Sequence, residues 1–336
     1  MAVRIKNIPL FRYLVIACQA ATIVVTFPLW QVRESPPLLP LIPLPTFDMG
    51  VILLVSLALI LIRPREGLIA HTVLLVYSML VDQTRIQPEC VSLLFLMWGT
   101  YPDPNAQALG RAHVITLWLW AGINKLLSPA FIVGTGPMLM RPLFSDILPP
   151  EIIDMGGYLI GFSELLVGVL AIFPRTRRIA ALAAFVLHTG IVLTLSPVGM
   201  NWNESVWAWN VALAFAGFAL LWKWQENPIK SARAVRLITR AAVVLLLISP
   251  AGFYIGVVDA YLAHNLYSSN TADANSTALS PGITWSVFNV PLPPEHRIYE
   301  QFFKLTCEPG DRMTINDTRW WFRQQGLGTR RLDCPD

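Results

Sequence analysis

The chain has 336 residues, of which 54% are hydrophobic and 14% charged, and its mean hydropathy is +0.53. Soluble domains carry roughly 25% charged residues, so a soluble fold for the whole chain is excluded. The net charge of +4 does not point to nucleic acid, because the basic residues after position 258 are outnumbered there by acids and the excess falls in other loops.

Nine apolar runs approach the ~20 residues that a bilayer requires. They cover about 11–30, 49–62, 67–83, 89–102, 111–127, 154–173, 179–197, 205–222 and 241–258. The first has the basic flank of a signal peptide but no small-residue cleavage site after it, so it reads as a retained helix. The second and fourth are short; the fourth is kept because deleting it breaks the charge alternation. Lys and Arg fall in every second loop: Arg4, Lys6 and Arg12; Arg63 and Arg65; Arg111; Arg175, Arg177 and Arg178; then Lys223, Lys230, Arg233, Arg236 and Arg240. Positive loops stay cytoplasmic, which places the N-terminus inside and the C-terminal tail outside. The fold class is therefore an all-α polytopic membrane protein of about nine transmembrane helices (residues 1–258), followed by a small extracytoplasmic α+β domain (259–336).

Two outer connections are unusual. Ser35 to Pro45 has a proline every second or third residue, which forbids a regular helix and predicts an extended run. Ser128 to Asp154 consists of apolar pieces broken by Pro129, Gly134, Gly136, Pro137, Pro142, Pro149 and Pro150. It is expected to be interfacial or re-entrant; it serves first as a connector, with a roof over a cavity as the alternative. In the C-terminal part, 268–282 reads as linker, Ile283–Val290 as a strand, Pro294–Thr306 as a helix and Arg312–Ile315 as a strand. Cys307 and Cys334 are expected to form a disulfide in an oxidising compartment, whereas Cys18 and Cys90 lie in spans and pack there. Asn203, Asn275 and Asn316 begin N-x-Ser/Thr sequons that fall outside on this topology.

Charged groups within spans are costly and mark function. Glu164 and His188 sit midway along the sixth and seventh spans, and Lys125 near the outer end of the fifth. Asp82, Arg85 and Gln87 form the outer end of the third, and Asn201 and Asn210 flank the turn into the eighth. Together they predict a polar pocket opening outward. Each has a bland alternative: snorkelling for Lys125, a helix-bonded neutral ring for His188, a structural ion pair for Glu164, a surface pair for Asp82 and Arg85. The tryptophans of 202–209 read first as an interfacial belt. No spacing suggests a metal site, and no phosphate-binding loop is present.

The stretch Trp118-Leu-Trp-Ala-Gly-Ile-Asn-Lys-Leu126, with Glu164-Leu-Leu, Phe173-Pro-Arg-Thr-Arg177 and Phe185-Val-Leu-His188, resembles the membrane core of the vitamin K-dependent gamma-carboxylases and, more closely, their bacterial HTTM-domain relatives. Asp82-Gln-Thr-Arg-Ile-Gln-Pro88 is similar to a segment of the bacterial members. The resemblance covers roughly 75–215. It implies an active centre on the periplasmic or lumenal side, Lys125 as the base acting on a reduced quinone, His188 as the span histidine, and a bacterial inner membrane. The chain departs from the pattern at Asn124 and Ile191 and lacks a large lumenal domain, which argues against carboxylation of peptide glutamate.

Two functions follow as expectations. In one, a quinol or other lipid-soluble molecule enters from the bilayer. Lys125 acts as general base, His188 and Glu164 hold or relay the proton, and Asp82, Arg85, Gln87, Asn201 and Asn210 bind the polar end. In the other, the chain is a non-catalytic subunit of a larger respiratory, photosynthetic or secretory membrane complex. It would then dock other subunits through Arg319, Trp320, Trp321 and Arg323, because aromatic and Arg side chains dominate interface hot spots; the alternative is that this patch is the small domain's own core. Transport ranks last, since no inverted repeat is visible.

Overall fold

The computed structural model describes residues 8–224, 226 and 235–335. Arg4, Lys6, Lys230 and Arg233 of the expected charge pattern lie outside the described residues. The protein is mostly helical, and a helix occupies each of the nine apolar segments. The helices are α1 (Ile8–Val25), α2 (Gly50–Ile62), α3 (Pro64–Val81), α4 (Pro88–Gly99), α5 (Pro104–Leu126), α6 (Gly136–Phe144), α7 (Pro150–Asp154), α8 (Gly156–Ile172), α9 (Arg177–Leu195), α10 (Trp207–Leu220) and α11 (Leu237–Ile248). A 3-10 stretch, Ser249–Ile255, extends α11.

Length separates these helices. Among the described residues, α9 and the Leu237–Ile255 helix are long and apolar enough to cross a membrane. A third crossing exists if α5 and Phe131–Phe144, bent by 92°, count as one broken span. Five further apolar helical stretches, Leu10–Val25 in α1, α2, α4, α8 and Glu204–Leu220 around α10, are only 10–17 residues long.

Proline sets several starts. Pro64, Pro104 and Pro150 stand in the first turn of their helices, where no intrahelical N–H is needed. Asp103 caps α5 by accepting from the N–H groups of Asn105 (2.9 Å) and Ala106 (3.0 Å). At the far end of α5, Pro129 removes a donor and the Ser128 hydroxyl instead accepts from the Phe131 N–H at 3.1 Å. A π turn, Phe131–Thr135, then leads into α6. The broken segment 128–154 is therefore largely helical, bent sharply away from α5.

The chain forms two compact units. The first comprises residues up to Thr22, Glu89–Pro250 and Leu266–Ser269; the second comprises Ile23–Pro88, Ala251–Asn265 and Asn270 to the C-terminus. In the first, α5 lies close against α8: a Cβ on Gly122 would stand 2.4 Å from the Leu165 nitrogen. Likewise α10 meets α9 at Gly217, whose Cβ would lie 2.7 Å from the Ala181 Cα. Small residues at such crossings let helix backbones approach within lipid.

The second unit holds α2 and α3, two 3-10 turns (Phe27–Trp30 and Gln83–Arg85), α12 (Ile283–Phe288), α13 (His296–Thr306) and α14 (Trp320–Gln324). It also holds an antiparallel sheet, in the order β1 (Asp273–Ser276), β2 (Arg312–Asn316), β3 (Thr329–Asp333). Ile298, Tyr299, Phe302 and Phe303 form the apolar face of α13 and pack with Met313 and Ile315 of β2. Leu39, from the proline-rich run, is fully buried in the same core, which fastens that run to the unit. Cys307 and Cys334 form a disulfide (Cα–Cα 5.8 Å) that ties the end of α13 to the end of β3. Cys18 and Cys90 are free and buried.

Two local expectations are corrected. Ile283–Val290 is not a strand: Thr284 and Phe288, four apart, are the buried pair of one helical turn, and Asn289 ends it in the left-handed region at φ 59°. The supposed linker 268–282 contains β1, whose register sets Asp273 opposite Asn316 and Asn275 opposite Thr314. A strand so polar is held by its ladder rather than by an apolar face, so alternation could not show it.

The close α5–α8 crossing yields a test. Gly122→Val should lower thermal stability of the purified protein by at least about 1–3 kcal/mol, the usual cost of overpacking. Gly134→Ala, where an added Cβ meets nothing within 4 Å, should leave the melting curve in place.

Candidate functional site

Lys125 and Glu164 face each other across the α5–α8 crossing, Nζ to Oε2 2.6 Å apart, and both are buried. They stand in the wall of a cavity of about 210 Å³. Leu139, Met140 and Phe144 of α6 close one side, Ile160 belongs to α8, and Val186, Leu187, Gly190, Ile191, Thr194 and Leu195 to α9. Tyr267 completes the lining. The space is apolar apart from the ion pair, Thr194 and Tyr267. An apolar cleft with a few convergent polar groups is the usual form of a small-molecule site.

His188 is bound into a hydrogen-bond chain. Trp118 Nε1 donates to its Nε2 (2.8 Å), and its Nδ1 lies 2.8 Å from Asn210 Oδ1. Because Nε2 accepts, Nδ1 carries the hydrogen and donates to Asn210. Asn210 Nδ2 in turn donates to the Val206 carbonyl (2.9 Å). Both ring nitrogens are thus engaged within the bundle, tying α5, α9 and α10 together.

Asp82, Arg85 and Gln87 belong to the second unit, not to the unit that carries Lys125. Fully buried Asp82 accepts from Arg33 Nη2 (2.6 Å) and from the N–H groups of Leu39 (3.2 Å) and Thr84 (3.1 Å). Arg85 donates to the carbonyls of Leu29 (2.9 Å) and Gln31 (3.0 Å), and Gln87 to those of Thr84 (2.8 Å) and Pro291 (3.0 Å). These bonds satisfy irregular backbone around the proline-rich run. Asn201 is exposed, in the left-handed region at φ 48°.

The aromatic patch near the C-terminus divides. Arg319 is buried against Asp317 (2.6 Å) and Glu295 (3.5 Å), with its guanidinium 4.7 Å from the Phe253 ring centre and 4.3 Å from that of Phe322. It is a core residue rather than part of a docking surface. Trp320 (64% exposed), Trp321 (37%) and Arg323 remain on the surface. Burial would raise the Asp317 carboxyl, but hydrogen bonds from His296 and Arg319 and the arginine's charge outweigh it and hold the group below its usual value. Burial pushes Glu295 the other way, upward, against the pull of Arg319.

Sequence reasoning missed three residues. Tyr267 reaches the cavity from a short segment far along the chain, and its hydroxyl accepts from Asn203 Nδ2. Asn203 Oδ1 accepts from Ser205 (2.7 Å). Glu89, fully buried, bonds with the Ser205 side chain. Glu89 carried a signal, as an acid at the mouth of an apolar run, and Asn203 had stood out only as the start of a sequon. Among the described residues no three His, Cys, Asp or Glu side chains gather to hold a metal ion.

The two or three helices long and apolar enough to cross a membrane, among the described residues, mark a helical membrane protein, and the buried ion pair and cavity lie within its apolar bundle. Residues 104–205, from the start of α5 to Ser205, match the model of a membrane protein family described as methylamine utilisation protein MauE. No curated protein and no solved structure matches the chain. This finding corrects the resemblance to gamma-carboxylases and HTTM-domain proteins: Trp118–Leu126, Glu164 and His188 all fall within the MauE match. Short motifs rich in Gly and Leu recur wherever helices cross closely in lipid, so they did not discriminate between families.

Two measurements test these arrangements. His188→Leu leaves Trp118 and Asn210 without their partners and should destabilise the protein by about 1–3 kcal/mol per orphaned group; His188→Gln, which can both donate and accept, should recover much of that in a thermal melt. Asp317, depressed below 3.8 in the folded protein, stabilises the second unit above its unfolded value, and that contribution is lost as pH falls through the folded value. Tryptophan fluorescence should therefore report an acid-side loss of stability that is absent from Asp317→Asn. The variant should be weaker by about 3–5 kcal/mol at neutral pH, as for a broken buried pair.

Proposed function

We propose that the first unit is a membrane-embedded pocket for a lipid-soluble molecule with an ionisable hydroxyl head, a quinol being the type, and that Lys125 and Glu164 handle its proton. The observation that carries this reading is the 2.6 Å Lys125–Glu164 pair set in the wall of an otherwise apolar cavity. A charged pair away from water is expensive, because desolvation rivals the mutual attraction. Passing the shared proton from Lys125 to Glu164 removes both charges. The resulting amine of Lys125 can take a proton from the ligand hydroxyl as general base, and the ammonium then stands beside the new oxyanion. His188, with both nitrogens engaged, positions α5 against α9 in this scheme. Nine crossings, an inside N-terminus, an outside C-terminal domain at 259–336 and a bacterial inner membrane belong to the same reading, supported by the Lys/Arg rhythm of the loops.

A second reading is a non-catalytic subunit of a membrane assembly. Exposed Trp320 and Trp321 beside Arg323 favour it, and the description of the matched family suggests methylamine utilisation as the setting.

Native mass spectrometry of the intact protein, extracted gently from its host membrane, tests both. The first reading expects a lone chain with a small-molecule adduct. Lys125→Met alone strands a buried carboxylate and should cost about 3–5 kcal/mol. The double variant Lys125→Met, Glu164→Gln removes both charges and should stay folded yet lose the adduct. An adduct that survives in the folded double variant sinks the proposal. Companion polypeptides that disappear in Trp320→Ala, Trp321→Ala would establish the second reading instead.

A further inference from the structure

A second apolar space adjoins the cavity. It occupies about 490 Å³ along the outer side of α8 and α9, lined by Leu166, Val167, Ile179, Leu182 and Ala183. Val186 and Leu187 line both this groove and the Lys125–Glu164 cavity. On α9 the groove takes Ile179 to Leu187 and the cavity Val186 to Leu195, so the two spaces run end to end along one helix. On α8 the groove includes Ser163 and Val167 and the cavity Ile160 and Glu164, in matching order. At a rise of 1.5 Å per residue the groove stretch of α9 is about 12 Å long.

Size supports a shared occupant. Sites for whole drug-sized molecules run roughly 300–1,000 Å³, and the cavity, at about 210 Å³, falls below that range. The groove, at about 490 Å³, lies within it by itself, so the cavity has room for a head group and the adjoining groove for the rest of a larger molecule. Polarity is divided in the same sense: the cavity holds the ion pair, whereas of the groove's lining only Ser163 has a polar side chain. Leu166 and Val186 are 56% and 70% exposed, so the groove is open on the face that a bilayer would cover.

We propose that the groove between α8 and α9 holds the single hydrocarbon tail of the molecule whose head lies at Lys125 and Glu164, and that this molecule reaches the cavity sideways from the lipid. The proposal rests on the pocket reading above and adds the ligand class: one linear acyl or isoprenoid chain on a compact ionisable head. Ala183 lies in the groove and not in the cavity lining, so Ala183→Trp blocks the tail while sparing the head site.

The experiment uses the full-length protein in lipid nanodiscs and a benzoquinol with a decyl tail ending in a diazirine; the same benzoquinol bearing only a methyl group serves as competitor. After photolysis, peptide mapping should find adducts on the stretch 163–187, competed by the methyl compound. In Ala183→Trp the yield on that stretch should fall by about tenfold or more, the effect of withdrawing about two buried methylenes from binding. In the same variant the methyl compound, read by native mass spectrometry, should still bind. Adducts that map elsewhere, or a yield unchanged by Ala183→Trp, would overturn the groove while leaving the head site standing. If the folded double variant Lys125→Met, Glu164→Gln labels and binds the methyl compound like the wild type, the pocket reading fails and the groove proposal with it.

Discussion

Everything at the candidate site depends on how closely two helices can approach. Lys125 is on α5 and Glu164 on α8, and their charged ends meet at 2.6 Å only because Gly122 leaves no side chain between the backbones. In lipid there is no hydrophobic force between apolar helices, so association relies on close packing and on interhelical polar bonds. Here the two devices coincide: a glycine crossing fixes the spacing and the ion pair uses it. The Trp118–His188–Asn210 chain braces the same core from the other side, so the cavity wall is set by two independent polar ties.

The second unit solves the opposite problem. It contains much irregular backbone, and its buried arginines satisfy carbonyls that no helix or strand can reach. Arg33 and Arg85 bind the turn at Leu29–Gln31 and the Pro36 carbonyl, with Asp82 as the shared counter-charge. Arg319 does similar work between Asp317, Glu295 and the rings of Phe253 and Phe322. A planar, permanently charged fork suits this role better than a lysine, since it can bond in several directions and stack at once.

What the sequence disclosed follows from this division. Apolar runs longer than a dozen residues announced the long helices of the first unit, though not α6 and α7, and a carboxylate or lysine within such a run announced the ion pair. The cavity was harder to foresee, since α6 bends back through 92° to wall it and Tyr267 arrives from a separate segment. Asp82, Arg85 and Gln87 looked like site residues because polar groups at the end of an apolar helix invite that reading. Their bonds to turn carbonyls depend on long-range folding that no local pattern encodes. β1 and β3 were hidden for the same reason, being polar strands defined by a partner rather than by an apolar face.

The chain of bonds through His188 has one more consequence. It starts at an indole N–H, passes through an imidazole and an amide, and stops at the Val206 carbonyl. An indole gives up no proton near neutral pH, an amide hands none on, and a backbone carbonyl is a dead end. Although the histidine lies in the same bundle as a lysine and a carboxylate, this path cannot act as a wire. Hydrogen bonding thus holds the imidazole in one tautomer and one orientation, as a strut between three helices.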